Sequence, residues 1–171
     1  VLGLDMGEGQ PVAVRAKATV LATGGYTAMW DFTDNPPNLT GVSLAMAYRA
    51  GADLIDLQVC DCDGTDVVWP PSVRGTVVLY ELLAEQFTDG NLYNSEGKAI
   101  FPKPLPVRDE ALRLIYDEIR QGRGTPHGGV WYDVTKTTKS RDEVRKIYED
   151  MTPRHYSFIK EAAGIDLVEE P

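Results

Sequence analysis

Residues 20–26 read Val-Leu-Ala-Thr-Gly-Gly-Tyr and place two adjacent glycines directly after an apolar run. Before them, residues 11–19 alternate between apolar and polar, which is the pattern of a β-strand with one buried face. Residues 20–22 are all apolar, so we expect the far end of this strand to be buried on both faces. Since glycine has no Cβ, Gly24 and Gly25 predict a turn where a ligand can approach the backbone.

Other segments show the patterns of strands and helices. Residues 1–6 and the turn at 7–10 predict the first strand of a β-hairpin. Further strands are expected at 53–60, 91–94 and 128–134, and a strand or a helix at 76–83. Helices are expected at 41–50 and 109–121, after a capping box of Ser140 and Glu143, and from an N-cap at Thr152 onward. This mixture lacks a regular βαβ alternation and predicts an α+β fold.

Composition excludes several classes of protein. The net charge of −9 and the pI near 4.7 argue against a nucleic-acid partner, which requires clustered cations. No apolar stretch approaches the roughly 18–20 residues of a membrane span. Cys60 and Cys62 are too close in sequence to form a disulfide readily, which favours a reducing compartment. We therefore expect a cytoplasmic protein, or one bound peripherally to the cytoplasmic face of a membrane.

Several ordered segments resemble one protein family. Residues 20–26 resemble the strand-and-glycine motif of the fumarate reductase/succinate dehydrogenase flavoproteins, which include the L-aspartate oxidases. The resemblance continues through residues 38–52, Arg108-Asp109, residues 129–134 and residues 156–171, and so covers nearly the whole chain. Val42 departs from the aspartate that the family usually has there.

The resemblance implies a division into two parts and a cofactor, FAD. Residues 1–30 would be the last part of the flavin-binding domain, namely a β-hairpin and the glycine turn, and residues 31–171 would be the substrate-capping domain. Ala22, Thr23, Gly24 and Gly25 would contact the flavin. The family's Gly-x-Gly-x-x-Gly fingerprint is not in this sequence, so we expect a piece of a larger protein, with a flavin-binding domain as partner and no turnover by itself.

The resemblance also implies a reaction and a proton donor. In this family a hydride passes between flavin and a carboxylic acid at a CH–CH bond, and an arginine on the cap donates the proton; Arg108 stands at the matching position. A cation in the first turn of a helix costs about 0.3–1 kcal/mol. Arginine, with a pKa above about 12, can donate only if burial and neighbouring carboxylates prepare it. The alternative is an exposed arginine beside Asp109.

Two departures from the family concern substrate binding. Asp63 and Thr65 stand in the segment where the family has a histidine-proline-threonine that binds a substrate carboxylate, and an aspartate there would repel a dicarboxylate. The family's threonine-glutamate pair is expected between Leu82 and Gly90, where it is absent. Either other groups bind the substrate, or the substrate is not a C4 dicarboxylate.

A metal site is the remaining chemical interpretation. Cys60, Asp61, Cys62 and Asp63 are ligand types, but alternation along a strand leaves at most two of them on one side. We therefore predict no metal. His127 and His155 occupy positions typical of solvated histidines.

Two functions remain open at this point. The first is the cap of an FAD-dependent oxidoreductase that acts on a small carboxylic acid and has a further partner, an electron-transfer subunit. The second is a non-catalytic interaction domain that derives from the same fold, which the missing motifs favour.

Overall fold

The computed structural model describes residues 1–60 and 63–171. These residues form two compact units. The first consists of Val1–Asp31 and Pro36–Leu57, and the second of Phe32–Asn35 and Gln58–Pro171. The division into residues 1–30 and 31–171 stays a prediction.

A β-hairpin opens the first unit, as expected. Strand β1 (Leu2–Asp5) pairs with the antiparallel strand β2 (Gln10–Ala13), and Leu2 lies opposite Ala13. The Asp5 carboxylate closes the turn because it accepts hydrogen bonds from the Gly7 and Glu8 amides at 2.8 and 3.1 Å. The local turn chemistry therefore sets the register.

The prediction that the second strand runs to Ala22 with a buried end is wrong. Strand β2 ends at Ala13, and Val20 and Leu21 are 88% and 54% exposed. Within the described chain, no backbone hydrogen bond joins residues 15–25 to another segment. A strand needs a partner for its amides and carbonyls, and this apolar run has none here.

One helix of the first unit is confirmed and one strand prediction is wrong. Helix α1 (Val42–Arg49) follows Gly41 and ends before Gly51. Residues 53–60 contain no strand, and Asp56 adopts a left-handed backbone conformation with φ of 55°. One such residue redirects the chain and interrupts an extended run.

The second unit contains the elements that the hydrophobic patterns predict. Strands β3 (Asn91–Tyr93) and β4 (Trp131–Asp133) pair antiparallel, with Leu92 opposite Tyr132. Its helices are α2 (Arg108–Arg120), α3 (Arg141–Met151) and α4 (Pro153–Ala163). The ambiguous segment 76–83 forms a bridge from Val77 to Asp66 and then a 3-10 helix, Tyr80–Leu83. Helices and small antiparallel sheets together confirm the α+β class.

Helix termini in this unit follow the capping signals. Ser140 Oγ accepts from the Glu143 amide at 3.3 Å, and Glu143 Oε2 accepts from the Ser140 amide at 2.8 Å, so the capping box is confirmed. Thr152 precedes α4 as expected, although its side chain makes no capping hydrogen bond. Helix α4 packs against α3 and against the 3-10 helix Pro71–Val73.

The core of the second unit contains side chains from the 3-10 helix Tyr80–Leu83 and from helices α2, α3 and α4. Its buried side chains are apolar and include Leu82, Leu83, Leu92, Ile115, Val134, Val144, Tyr148 and Tyr156. Burial of Leu82 and Leu83 anchors the short 3-10 helix that carries Tyr80 and Glu81.

Gly90 is expected to tolerate no side chain. A Cβ there would lie 2.8 Å from the Asp133 carbonyl oxygen and 2.9 Å from both Leu83 Cδ2 and Val134 Cγ1. Gly90→Ala should lower the free energy of unfolding by about 1–3 kcal/mol, measured by urea titration, because the core is overpacked. The matched control is Gly3→Ala, whose Cβ would meet nothing within 4 Å. Equal stability of both variants would contradict the prediction.

Candidate active site

Arg108 forms an ion pair with Glu81 at the start of helix α2. Its Nη2 donates to Glu81 Oε1 at 2.8 Å, and the two side chains are 45% and 43% exposed. Arg108 is the first residue of the helix, whose N-cap, Val107, supplies no side-chain capping bond. The carboxylate offsets the unfavourable interaction between the arginine and the positive end of the helix dipole. The neighbouring carboxylate that a proton-donating arginine needs is present, whereas burial within this chain is partial.

Tyr80 neighbours this ion pair and is buried. Desolvation raises the pKa of its hydroxyl, and the field of Glu81 raises it further. The charge of Arg108 and a hydrogen bond from its guanidinium to the Tyr80 side chain act in the opposite direction. Tyr80 is therefore a neutral phenol held against Arg108, and its ring packs edge-on against Phe101 with centroids 6.1 Å apart.

The predicted substrate-binding residues flank Gly64, which lies against helix α2. Thr65 Oγ1 donates to Asp63 Oδ1 at 3.3 Å, and Asp63 is close enough to Tyr80 to raise its pKa. Gly64 lets this segment lie directly on the helix, because a Cβ there would be 2.4 Å from Leu112 Cδ2. The structure thus pairs Thr65 with Asp63 and places the Asp63 charge near enough to act on Tyr80, which neighbours Arg108.

The predicted flavin contacts lie in the first unit, and all of Ala22, Thr23, Gly24 and Gly25 are exposed. Gly24 has a φ of 74°, which glycine adopts without strain, and a Cβ there would lie 2.9 Å from Leu39 Cδ2. A Cβ on Gly25 would meet nothing within 4 Å. The backbone at Gly25 is therefore open to the approach of a planar ring. The segment fits a contact with part of FAD, but without the glycine fingerprint it lacks a site for the pyrophosphate.

A cavity of about 240 Å³ lies within the second unit. Its walls are mainly apolar and come from residues 64–70, helix α2, strand β4 and the end of the chain. Trp69 and His127 stack at its edge, with ring centroids 4.1 Å apart and an angle of 2° between the planes. The turn of His127 therefore packs against an aromatic ring. Arg108, Glu81 and Tyr80 are not among the lining residues.

Asp66 is the carboxylate in this cavity. Burial raises its pKa from 3.8 to about 7, and the charges of Asp34 and Asp63 contribute in the same direction. Its Oδ1 is buried and has no hydrogen-bond partner in the described structure. The lining groups that can also titrate are His127 and the buried phenol of Tyr132, whose pKa desolvation raises.

Asp66→Asn is expected to change how stability depends on pH. Because the folded-state pKa of Asp66 is raised, the wild type has its full stability from this group below about pH 4 and loses it as the pH rises through about 7. Asparagine carries no charge, so the variant does not lose this contribution. The urea midpoint of the variant minus that of the wild type should therefore increase from about pH 4 to about pH 7 and stay constant at higher pH. Asp142→Asn, at a side chain that is 97% exposed, is the matched control. A pH-independent difference for Asp66→Asn would contradict the prediction.

Sequence reasoning missed Tyr80, Glu81 and Asp66. It placed the family's glutamate between Leu82 and Gly90, whereas the carboxylate that pairs with Arg108 is Glu81, one residue earlier. Glu81 and Arg108 are 27 residues apart, and no local pattern links them. The shared resemblance around Arg108 was the only signal that could have prompted a search for its partner.

The cysteine-aspartate segment is described only in part. Asp61 and Cys62 lie outside the described residues, and Cys60 is half-buried. In the described ranges, no group of three or more histidine, cysteine, aspartate or glutamate side chains is placed to hold a metal ion.

Comparison with known proteins identifies the family of this chain. The FAD binding domain family matches residues 2–161. The chain belongs to the FAD-binding family of fumarate reductase/succinate dehydrogenase flavoproteins. The predicted resemblance and FAD as the family's cofactor are thereby confirmed.

Individual members of this flavoprotein family match the chain over nearly its full length. A fumarate reductase (CoM/CoB) subunit of Methanothermobacter marburgensis is 37% identical over 99% of the chain and 30% of its own length. The 8-methylmenaquinol:fumarate reductase flavoprotein subunit of Wolinella succinogenes is 34% identical over 98% of the chain and 27% of its own length. Mycobacterium smegmatis Sdh1 in complex with UQ1 superposes with a TM-score of 0.71 at 34% identity, over 91% of this chain and 25% of Sdh1. The chain thus spans less than a third of these flavoproteins.

Between residues 1 and 60 and between 63 and 171, no helix combines the length and the apolar character needed to cross a membrane.

Proposed function

We propose that this chain is part of an FAD-dependent oxidoreductase that exchanges hydride between flavin and a small unsaturated or saturated carboxylic acid. Residues 31–171 form the substrate-capping domain, and residues 1–30 end the flavin-binding domain. The observation that supports this best is the ion pair of Arg108 with Glu81, because it joins a proton donor to a group that can restore the proton. The reaction adds or removes hydrogen at a CH–CH bond.

Arg108 acts as the general acid in this proposal. In the direction of reduction, its guanidinium donates a proton to the substrate carbon opposite the one that accepts hydride. The proton returns through the Glu81 carboxyl, which is 2.8 Å away and 43% exposed, and therefore in contact with solvent. The neighbouring Tyr80 side chain would help to position the guanidinium. Arg108 is partly exposed in this chain. When the substrate and the flavin-binding part of the protein bind against it, they would exclude water from the guanidinium.

The contribution of the first unit is backbone contact. Hydride exchange with the substrate is the chemistry that FAD would supply when bound, and Ala22, Thr23, Gly24 and Gly25 would lie against it. Their exposure and the open space at Gly25 support that role. The exposed apolar pair Val20 and Leu21 supports pairing with a further strand of the flavin-binding domain. By itself the chain is expected to show no turnover.

Asp63 and Thr65 would contact the substrate. The Thr65 hydroxyl can donate to a carboxylate, whereas the Asp63 carboxylate opposes a second negative charge nearby. Monocarboxylates and neutral acid derivatives are therefore better candidates than dicarboxylates.

An electron-transfer subunit is the proposed protein partner. Two of the matching relatives are named as subunits of reductases, which supports an assembly with further subunits. The proposed location is the cytoplasm or the cytoplasmic face of a membrane. The net charge of −9 provides no attraction to nucleic acid.

The proposal is tested by reducing the full-length flavoprotein anaerobically and mixing it with a panel of unsaturated monocarboxylic and dicarboxylic acids. Reoxidation of the flavin by at least one acid, faster than in a blank without acid, is the expected result. A non-catalytic interaction domain would leave the flavin reduced with every acid. That outcome would overturn the enzymatic proposal.

A further inference from the structure

The cavity beside Asp66 combines an apolar enclosure with one charged group. Its volume of about 240 Å³ lies below the roughly 300–1,000 Å³ of pockets for drug-sized ligands and so suits a smaller molecule. Phe32, Trp69, Trp131 and Tyr132 contribute aromatic surface, which favours the flat body of an aromatic ligand or the face-on approach of a cation.

Charge decides what kind of ligand fits. Asp66 Oδ1 is buried and accepts no hydrogen bond from the described residues, so a ligand could donate one to it. Asp34 and Asp63 add negative potential at the same carboxyl. Arg74 lies 4.9 Å from the centre of the Phe32 ring, and it is not among the groups that shift the pKa of Asp66. Neither lysine nor arginine lines the cavity within residues 1–60 and 63–171.

We propose that this cavity binds a small free organic cation, with an aromatic or alkyl body among the apolar walls and an amidinium or ammonium group on the Asp66 carboxylate. The cation would satisfy the unpartnered Oδ1 and neutralise the repulsion among Asp34, Asp63 and Asp66. The site adjoins the proposed substrate contacts, since Thr65 lines it, but Arg108 and Glu81 do not. It would exist whether or not the proposed oxidoreductase activity is correct.

The proton competes with this ligand. Ionised Asp66 binds the cation and protonated Asp66 does not, so affinity should fall by about ten-fold for each pH unit below the Asp66 pKa of about 7. Benzamidine is a suitable probe because its amidinium stays charged over this range and its ring is small. Benzamide has the same body without the charge, and the guanidinium ion has the charge without the body.

The test is isothermal titration calorimetry of the full-length protein with these three probes between pH 5 and pH 8. Benzamidine is expected to bind at pH 8 at least ten-fold more tightly than benzamide or guanidinium, and to weaken steadily below pH 7. Asp66→Asn should lose at least ten-fold in benzamidine affinity at pH 8. Asp142→Asn, which removes the same charge at an exposed position, should bind like the wild type. His127→Gln should retain the pH dependence, which shows that the dependence comes from Asp66 and not from the imidazole that also lines the cavity.

Three results would overturn the proposal. These are the absence of benzamidine binding at pH 8, equal affinity of Asp66→Asn and the wild type, and equal binding of guanidinium and benzamidine. Circular dichroism of each variant shows whether a loss of binding comes from unfolding. The dependence on pH and on probe structure is measured in the wild type and so does not rely on any variant.

Discussion

Replacing Arg108 with alanine is expected to slow reoxidation of the reduced flavoprotein by its acid acceptor by about 10²- to 10⁴-fold, which is the usual contribution of a positioned general acid. The variant leaves Glu81 without its partner at 2.8 Å and removes the proton donor from the start of α2. Anaerobic stopped-flow absorbance of the flavin measures the rate. Chemical reduction of the flavin, which needs no proton on the substrate, should be unchanged.

Two other variants separate proton donation from a general loss of charge. Arg113→Ala removes the same side chain from the same helix at a position that is 79% exposed, and should have little effect on the rate. Glu81→Gln should preserve the first reoxidation event better than repeated turnover, because it interrupts only the return of the proton. Equal rates for Arg108→Ala and Arg113→Ala would show that Arg108 is not the donor.

Tyr148→Ala is expected to lower the free energy of unfolding by about 3–5 kcal/mol, as for other buried aromatic side chains. Tyr148 is 1% exposed, its ring stacks on Tyr156 with centroids 5.4 Å apart, and its hydroxyl donates to the Tyr132 hydroxyl at 3.1 Å. Truncation removes the ring contact between α3 and α4 and the hydrogen bond to Tyr132 on β4, and it leaves a cavity in their place. Urea unfolding followed by circular dichroism measures the loss.

Tyr148→Phe and Tyr116→Ala divide that loss into its parts. Tyr148→Phe keeps the ring and removes one hydrogen bond, so it should cost only about 0.5–1.5 kcal/mol. Tyr116→Ala makes the same truncation on α2 at a side chain that is 61% exposed, and should change stability by less than about 0.5 kcal/mol. A loss for Tyr116→Ala as large as that for Tyr148→Ala would contradict the burial argument.

The elements that could be predicted are those with local causes. The stripe of Leu112, Ile115 and Ile119 predicts α2, and the Ser140–Glu143 capping box predicts the start of α3. The turn that Asp5 closes likewise lies within a few residues of the strands it joins. In each case the stabilising contacts lie close together in sequence, so the pattern carries the information.

The two wrong strand predictions concern segments that depend on distant partners. Alternation from residue 11 to 22 indicates where a strand could form, but residues 15–25 have no backbone partner in the described chain. At residues 53–60, the left-handed conformation of Asp56 interrupts a segment whose composition alone favours a strand. Strand propensity reflects packing against neighbours, and a single segment does not specify those neighbours.

The sequence by itself determined the family, the α+β class, the helices and the position of Arg108, because these follow from short-range periodicity, capping and an ordered series of motifs. Only the tertiary structure decided that Glu81 pairs with Arg108, that Tyr80 neighbours them, and that the charges of Asp34 and Asp63 act on a partly buried Asp66. The physical reason is that charge pairing and desolvation depend on distance in space. Residues 27 apart in the chain meet here because the 3-10 helix Tyr80–Leu83 and helix α2 share one hydrophobic core.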